Sequence, residues 1–207
     1  MNNIYLILGA SSELGLKLIE NLSEEDGIII AHYFTSCDKL RAISKSKRNL
    51  KLLQANLGEE SSVRELIKTI DSSYGVPTKI VHLAAPKFQL IKSRELSWET
   101  IQAEINVQLR SFFYITNFFI PKMVKQKYGK IVLVLSSVTI NVPPKYLAHY
   151  TISKYALLGY MKSVVSEVAE KRININAVSP SMIETNFLSN LNPKIIEINA
   201  DQNPTKR

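Results

Sequence analysis

The chain has 207 residues, 45% of them hydrophobic and 21% charged, and carries a formal net charge of +8. That length fits one domain with a sizeable core, and the composition is globular rather than fibrous or disordered. A lone cysteine, Cys37, excludes an internal disulfide and a cysteine-built zinc cluster, no apolar run is long enough to span a membrane, and the opening MNNIYLILGA lacks a basic leader, so a cytoplasmic protein without a signal peptide is expected.

The positive charge would suit an anionic partner such as a phosphorylated cofactor, an acidic carrier protein, nucleic acid or a membrane surface. The basic residues are nevertheless spread along the chain. Their densest group, Lys39, Arg41, Lys45, Lys47, Arg48 and Lys51, reads as a solvated helix face and its exit. No nucleic-acid motif accompanies it, so neither nucleic acid nor membrane is expected as a partner.

Ile4 to Leu8 is an apolar run of strand length that leads directly into Gly9-Ala-Ser-Ser-Glu-Leu-Gly15 and then a helical pattern at Leu14, Leu18, Ile19 and Leu22. A strand, a glycine turn and a helix form a place for phosphate, because a helix N-terminus presents unpaired N–H groups and the positive end of its dipole. The plainer reading is a β-α turn capped by Ser11 or Ser12. Gly27 to His32 reads as a second buried strand. Its end, Tyr33-Phe-Thr35-Ser36, lacks the carboxylate that grips a ribose 2′-hydroxyl in dinucleotide-binding folds, which favours a 2′-phosphate, with Thr35, Ser36, Lys39 or Arg41 as contacts.

Leu50 to Gln54 is a third strand, followed by Asn56-Leu57 and a helix from about Glu60 to Tyr74. Lys79 to Leu83 is a fourth, running into Ala84-Ala85-Pro86, where small residues allow either close ligand approach or packing under a helix. A long helical region starts at Ser97 and bends near Asn106 and Pro121, with Trp98, Ile101 and Ile105 at the spacing of a buried face. Asn106, between apolar turns, is either a structural cap or a functional polar group. Lys130 to Leu135 is a fifth strand ending at Ser136-Ser137, and a helix from about Ala148 to Glu170 follows. Arg172 to Val178 is a sixth strand, and from Asn186 onward the sequence is rich in Asn, Lys and Pro, with a weak helical pattern near Lys194 to Ile198 and mobility expected.

Strands alternating with helices argue for an α/β fold, a Rossmann-like doubly wound parallel sheet of order 3-2-1-4-5-6. We divide the chain into a dinucleotide-binding catalytic domain, 1–187, and a mobile or partly helical segment, 188–207. Within the helix from Ala148, Tyr150 and Lys154 stand at i, i+4 on one face, and Ser137 precedes the tyrosine. A cation beside a phenol lowers its pKa, which makes Tyr150 a candidate acid/base; taken alone, the pair reads first as a surface tyrosine and a solvated lysine.

In this order, the Gly9–Gly15 turn, His82-Leu-Ala-Ala85, Asn106, Ser137, Tyr150-Thr-Ile-Ser-Lys154 and Asn176-Ala-Val-Ser-Pro180 resemble the short-chain dehydrogenase/reductase superfamily over about residues 3–187, in particular members similar to 3-oxoacyl-acyl-carrier-protein reductase. The resemblance implies an NAD(P)(H)-dependent oxidoreductase that interconverts a carbonyl and an alcohol. Tyr150 would then be the acid/base, Ser137 the group polarising the substrate oxygen, Lys154 the partner of the nicotinamide ribose and Asn106 the anchor of a proton-relay water. It also implies a cofactor bed of Gly9, Ser11, Ser12, Leu14 and Gly15 in the first turn. Tyr33, Thr35 and Ser36 would join at the second strand, Asn56 and Leu57 after the third, and Ala84 and Ala85 after the fourth. Tyr150, Lys154, Pro180, Ile183 and Thr185 would complete it. NADP is favoured, with NAD the alternative; the substrate would be a small-molecule or carrier-linked carbonyl, and a homodimer or homotetramer is expected. No metal is called for.

The chain departs from the family pattern at Glu13, in place of the middle glycine, and at Leu83, Pro86, Asn56 and Ser181. The family's usual seventh strand is absent from the pattern, as though a C-terminal part were missing. The alternative reading is a non-catalytic dinucleotide-binding or regulatory relative, or an inactive truncated chain.

Overall fold

The computed structural model describes residues 3–140, 142–183 and 185–202. Six strands form one parallel sheet: β1 (Ile4–Leu8), β2 (Ile28–Tyr33), β3 (Leu50–Gln54), β4 (Lys79–His82), β5 (Gly129–Val134) and β6 (Ile173–Val178), in the order β3-β2-β1-β4-β5-β6. This is the sheet expected from the alternating pattern. The chain winds outward from β1 to β3, returns to the other side of β1 for β4, and so creates a switch point between β1 and β4 where loops part at the strands' carboxyl ends. Among the described residues β6 is an edge of the sheet. Residues 1, 2, 141, 184 and 203–207 lie outside those described, and with them the last part of the C-terminal segment.

The strands are Ile-, Leu- and Val-rich because both faces of the sheet are covered. Leu6, Leu8, Ile30, Ile80, Ile131 and Leu133 face one core, packed with Phe112, Ile115 and Phe119. Ile7, Ile29 and Ala31 face the other, packed with Leu16, Ile19 and Leu40. The covering helices are α1 (Glu13–Asn21), α2 (Asp38–Ser44), α3 (Glu60–Ser73), α4 (Trp98–Ile105), α5 (Ser111–Gln126) and α6 (Ala148–Val168), with α7 (Pro193–Gln202) near the end. No described helix is long and apolar enough to cross a membrane.

Between α4 and α5 the chain makes one π-helical turn, Asn106–Arg110. Such single wide turns often mark functional positions. The bend expected near Asn106 is therefore a widened turn, whereas Pro121 lies inside α5, which continues to Gln126. One expectation is overturned here: Trp98 is 64% exposed, not core. The buried stripe runs instead through Glu104, Gln108, Phe112, Ile115 and Phe119, with Ile101 and Ile105 half-buried at its side.

Candidate active site

The first turn is built to bring backbones together. Gly9 has φ +78, and a Cβ there would stand 2.8 Å from the Ala84 amide nitrogen, so the loops after β1 and β4 touch main chain to main chain. At Gly15 a Cβ would lie 2.5 Å from the Ala10 carbonyl oxygen, which holds α1 tight against the turn. Ser12 is the N-cap: its hydroxyl accepts from the Gly15 amide (3.2 Å) and donates to the Gly9 carbonyl (2.8 Å). Ser11 is exposed and Leu14 is 39% exposed at the rim.

His32, at the end of β2, locks the turn. Its Nδ1 accepts from the Gly9 amide (3.1 Å), and its Nε2 donates to the Ala55 carbonyl (3.1 Å). Burial lowers its pKa to about 4, so the ring is neutral and this tautomer is the one the bonds require. The sequence offered His32 no role; the structure gives it one, joining the ends of β1, β2 and β3.

Past His32, Tyr33 is half-buried while Thr35 and Ser36 are exposed. Arg41 and Cys37 both act on the Tyr33 phenol, which puts a guanidinium near the carboxyl end of β2. Asn56 accepts from the Gly58 amide through Oδ1 (2.9 Å), and Leu57 is part of the core. Ala84 and Ala85 line the switch point and are half-buried. Glu13 turns its carboxylate to the Asn186 amide (2.8 Å), joining the glycine turn to the segment after β6. In that segment the Pro180 carbonyl accepts from the Ser137 amide (2.9 Å), the Thr185 hydroxyl donates to the Ile183 carbonyl (3.3 Å), and Ile183 is 39% exposed.

Tyr150 lies near the start of α6 and is 8% exposed. Phe88 meets its ring edge-on with centroids 5.7 Å apart, and Phe187 packs on Phe88 at 5.4 Å. Val138, Leu147, Leu188 and Leu191 complete an apolar wall around it. The Ser136 hydroxyl acts on the phenol to hold its pKa down against burial, and it accepts from the Val138 amide (3.4 Å). Ser136 has extended backbone (φ −164, ψ 156) and opens a single 3-10 turn, Ser137–Thr139. Ser137 is tied through its amide to Pro180.

Lys154 is 4% exposed; its ammonium donates to the Val134 carbonyl (2.8 Å) and lies 5.4 Å from the Tyr150 ring centroid. Burial lowers its pKa to about 8, opposed by the charge of Glu104. The Tyr150 pKa is raised, first by burial, against the Ser136 hydrogen bond and with a further push from Glu104. Burial of the phenolate sets the direction in this structure, where the Lys154 ammonium is turned toward the Val134 carbonyl.

Behind this pair lies a polar seam between α4, the π-turn and α6. Asn106 is half-buried, and its Oδ1 accepts from Gln102 (2.9 Å). The fully buried amide is Gln108, whose Nε2 donates to Glu104 (2.5 Å) and to the Ser153 hydroxyl (2.9 Å). Ser153 in turn donates to the Tyr150 carbonyl (2.8 Å), and the Gln108 carbonyl accepts from His82 Nε2 (2.8 Å). Glu104 and Gln108 were not singled out from the sequence; both lie on the buried stripe that continues to Phe112 and Phe119.

The short chain dehydrogenase family model matches residues 3–196. A relative from Buchnera aphidicola (Schizaphis graminum strain), a 3-oxoacyl-(acyl-carrier-protein) reductase, is 31% identical over 98% of this chain and 82% of its own length. Nodulation protein G of a Rhizobium species is 27% identical over 98% of this chain and 82% of its own. Among solved structures, a short-chain dehydrogenase/reductase from Serratia marcescens superposes with TM-score 0.87 at 20% identity, over 99% of this chain and 84% of that one.

Proposed function

The chain belongs to the short chain dehydrogenase family and is an oxidoreductase of the alcohol–carbonyl couple; from that premise we propose that it reduces a carbonyl with NADPH and that Tyr150 supplies the proton. The observation that carries this reading is the convergence of the Tyr150 phenol, the Ser136 hydroxyl and the buried Lys154 ammonium at the carboxyl end of β5, beside the Gly9 turn. The bound nicotinamide would supply the hydride. The chain's own groups do the rest: Tyr150, kept protonated at neutral pH, gives its proton to the carbonyl oxygen as the carbon accepts hydride, and Ser136 polarises that oxygen.

The residues fit the cofactor. A glycine turn at which backbones approach to contact, followed by the N-terminus of α1, suits a pyrophosphate. Ser11, Ser12, Leu14 and Gly15 would line it, Asn56, Leu57, Ala84 and Ala85 would flank the adenosine side, and Pro180, Ile183 and Thr185 the nicotinamide side. Arg41 beside Tyr33, with Thr35 and Ser36, supports a 2′-phosphate and therefore NADP over NAD. In the proton path we give Gln108 the part that the family resemblance implies for Asn106, because Gln108 lies in the buried seam against α6.

The apolar wall of Phe88, Phe187, Leu188 and Leu191 supports a carbonyl carried on an apolar body, free or carrier-linked. Exposed Trp98, Phe113, Ile152 and Tyr155 on α4, α5 and α6 support a homodimer or homotetramer. Absorbance of NADPH over a panel of ketones and 3-oxoacyl thioesters tests the activity, with Tyr150→Phe as the discriminating variant. Turnover in the wild type, its loss in Tyr150→Phe and retained cofactor binding are expected. Cofactor binding without turnover of any ketone would point to the non-catalytic alternative, and a preference for NADH would overturn the choice of NADP.

A further inference from the structure

Glu104 is a carboxylate with 4% exposure, and the bond it makes is to an amide, the Gln108 Nε2 at 2.5 Å. A buried carboxylate without an ion pair in contact is costly, and a leucine would fill a buried helix face at lower cost. The seam also holds two buried polar atoms without partners, Gln108 Oε1 and His82 Nδ1. The bonds it does make lead one way: Glu104 to Gln108, Gln108 to Ser153, Ser153 to the Tyr150 carbonyl, with Lys154 next in sequence to Ser153.

We propose that Glu104 is a positioning residue for the Tyr150–Lys154 pair: its carboxylate, held by Gln108 behind α6, keeps the Lys154 ammonium and the Tyr150 phenol protonated in the buried site. The inference rests on the reading of Tyr150 as proton donor. The titratable groups around Glu104 are Lys154 and Tyr150 on α6 and His82 on β4, with His149 beside Tyr150. Burial holds His82 neutral, its pKa lowered to about 3, and lowers that of His149 as well. Glu104 itself is raised to about 7 by burial, against the Gln108 bond and the Lys154 charge. Its negative charge raises both Lys154 and Tyr150, so removing it lowers both. The two effects have the same sign.

The test is the pH profile of kcat/KM for NADPH-dependent reduction of acetoacetyl-coenzyme A. Glu104→Gln should keep turnover at pH 6 and move the basic limb down by about one pH unit, while Glu104→Asp restores much of the wild-type limb. An unmoved limb in folded Glu104→Gln overturns the inference. Tyr150→Phe is run beside it: full turnover in that variant defeats the reading of Tyr150 and leaves the Glu104 result to be judged separately. A second measurement needs neither turnover nor the Glu104 variant to fold. In cofactor-free wild-type protein the infrared band of a protonated carboxyl should titrate near pH 7, since Glu60 and Glu99, the other shifted carboxylates among the described residues, move downward. Lys154→Met should raise that midpoint by about one pH unit. A band that titrates with ordinary carboxylates, or is indifferent to Lys154, overturns the proposal.

Discussion

Two buried histidines at the ends of the strands that flank β1 show how differently the halves of this molecule treat polar groups. At the end of β2, His32 is satisfied on both nitrogens, by the Gly9 amide and the Ala55 carbonyl. At the end of β4, His82 stacks on Phe112 and bonds through Nε2 alone, leaving Nδ1 bare. The cofactor half is a finished structural joint, whereas the α4–α6 seam carries a carboxylate, an amide, a lysine and orphaned atoms. Fully satisfied buried networks specify one structure. Partly satisfied ones cost stability and survive where chemistry uses them.

The contrast can be broken from the seam side first. Tyr150→Phe should lower kcat about 10³-fold while NADPH fluorescence titration shows binding retained. Next, Ser136→Ala should lower kcat about 10²-fold, whereas Ser137→Ala should stay within about threefold, because Ser136 is the serine that acts on the phenol. Equal losses in steady-state kinetics would remove that distinction. From the joint side, Gly15→Ala should cost about 2 kcal/mol in urea unfolding, since its Cβ would press on the Ala10 backbone.

Acid unfolding sharpens the comparison. His32 and His82 have folded pKa values lowered to about 4 and about 3, so below pH 6.5 the unfolded chain binds more protons and stability falls with pH. Glu104, raised to about 7, takes up its proton in the folded state first and opposes that loss between pH 7 and 4.5. Glu104→Gln should therefore steepen the fall, by roughly one additional proton in the slope of unfolding free energy against pH. The smallest effect belongs to Asn106→Ala, within about threefold in kcat/KM. Its side chain is half-buried and bonded to Gln102, so a large loss would return the asparagine to the proton path.

The first turn was legible because its information is local. Gly9, Ser12 and Gly15 act within seven consecutive positions, and the residue types state the close approach directly. The seam was not legible because two local geometries shift its phase. The π-turn at Asn106–Arg110 takes an extra residue, and within it the fold buries Gln108 while Asn106 is half-buried. The 3-10 turn after β5 begins at Ser137, which leaves Ser136 extended at the end of the strand. Trp98 misled for a related reason: a hydrophobic stripe does not say which face of α4 meets α6.

By itself the sequence determined the alternation of strands and helices, hence the parallel sheet and its switch point, because hydrophobic period and glycine placement are properties of short windows. It also determined the Tyr150–Lys154 pairing, since i, i+4 residues share a face in any helix. Only the tertiary structure shows that the Gln108 amide and the Glu104 carboxylate are buried behind that pair. Orientation across a turn depends on how α4, β5 and α6 pack, and a one-residue change in turn geometry exchanges the buried side chain for its neighbour.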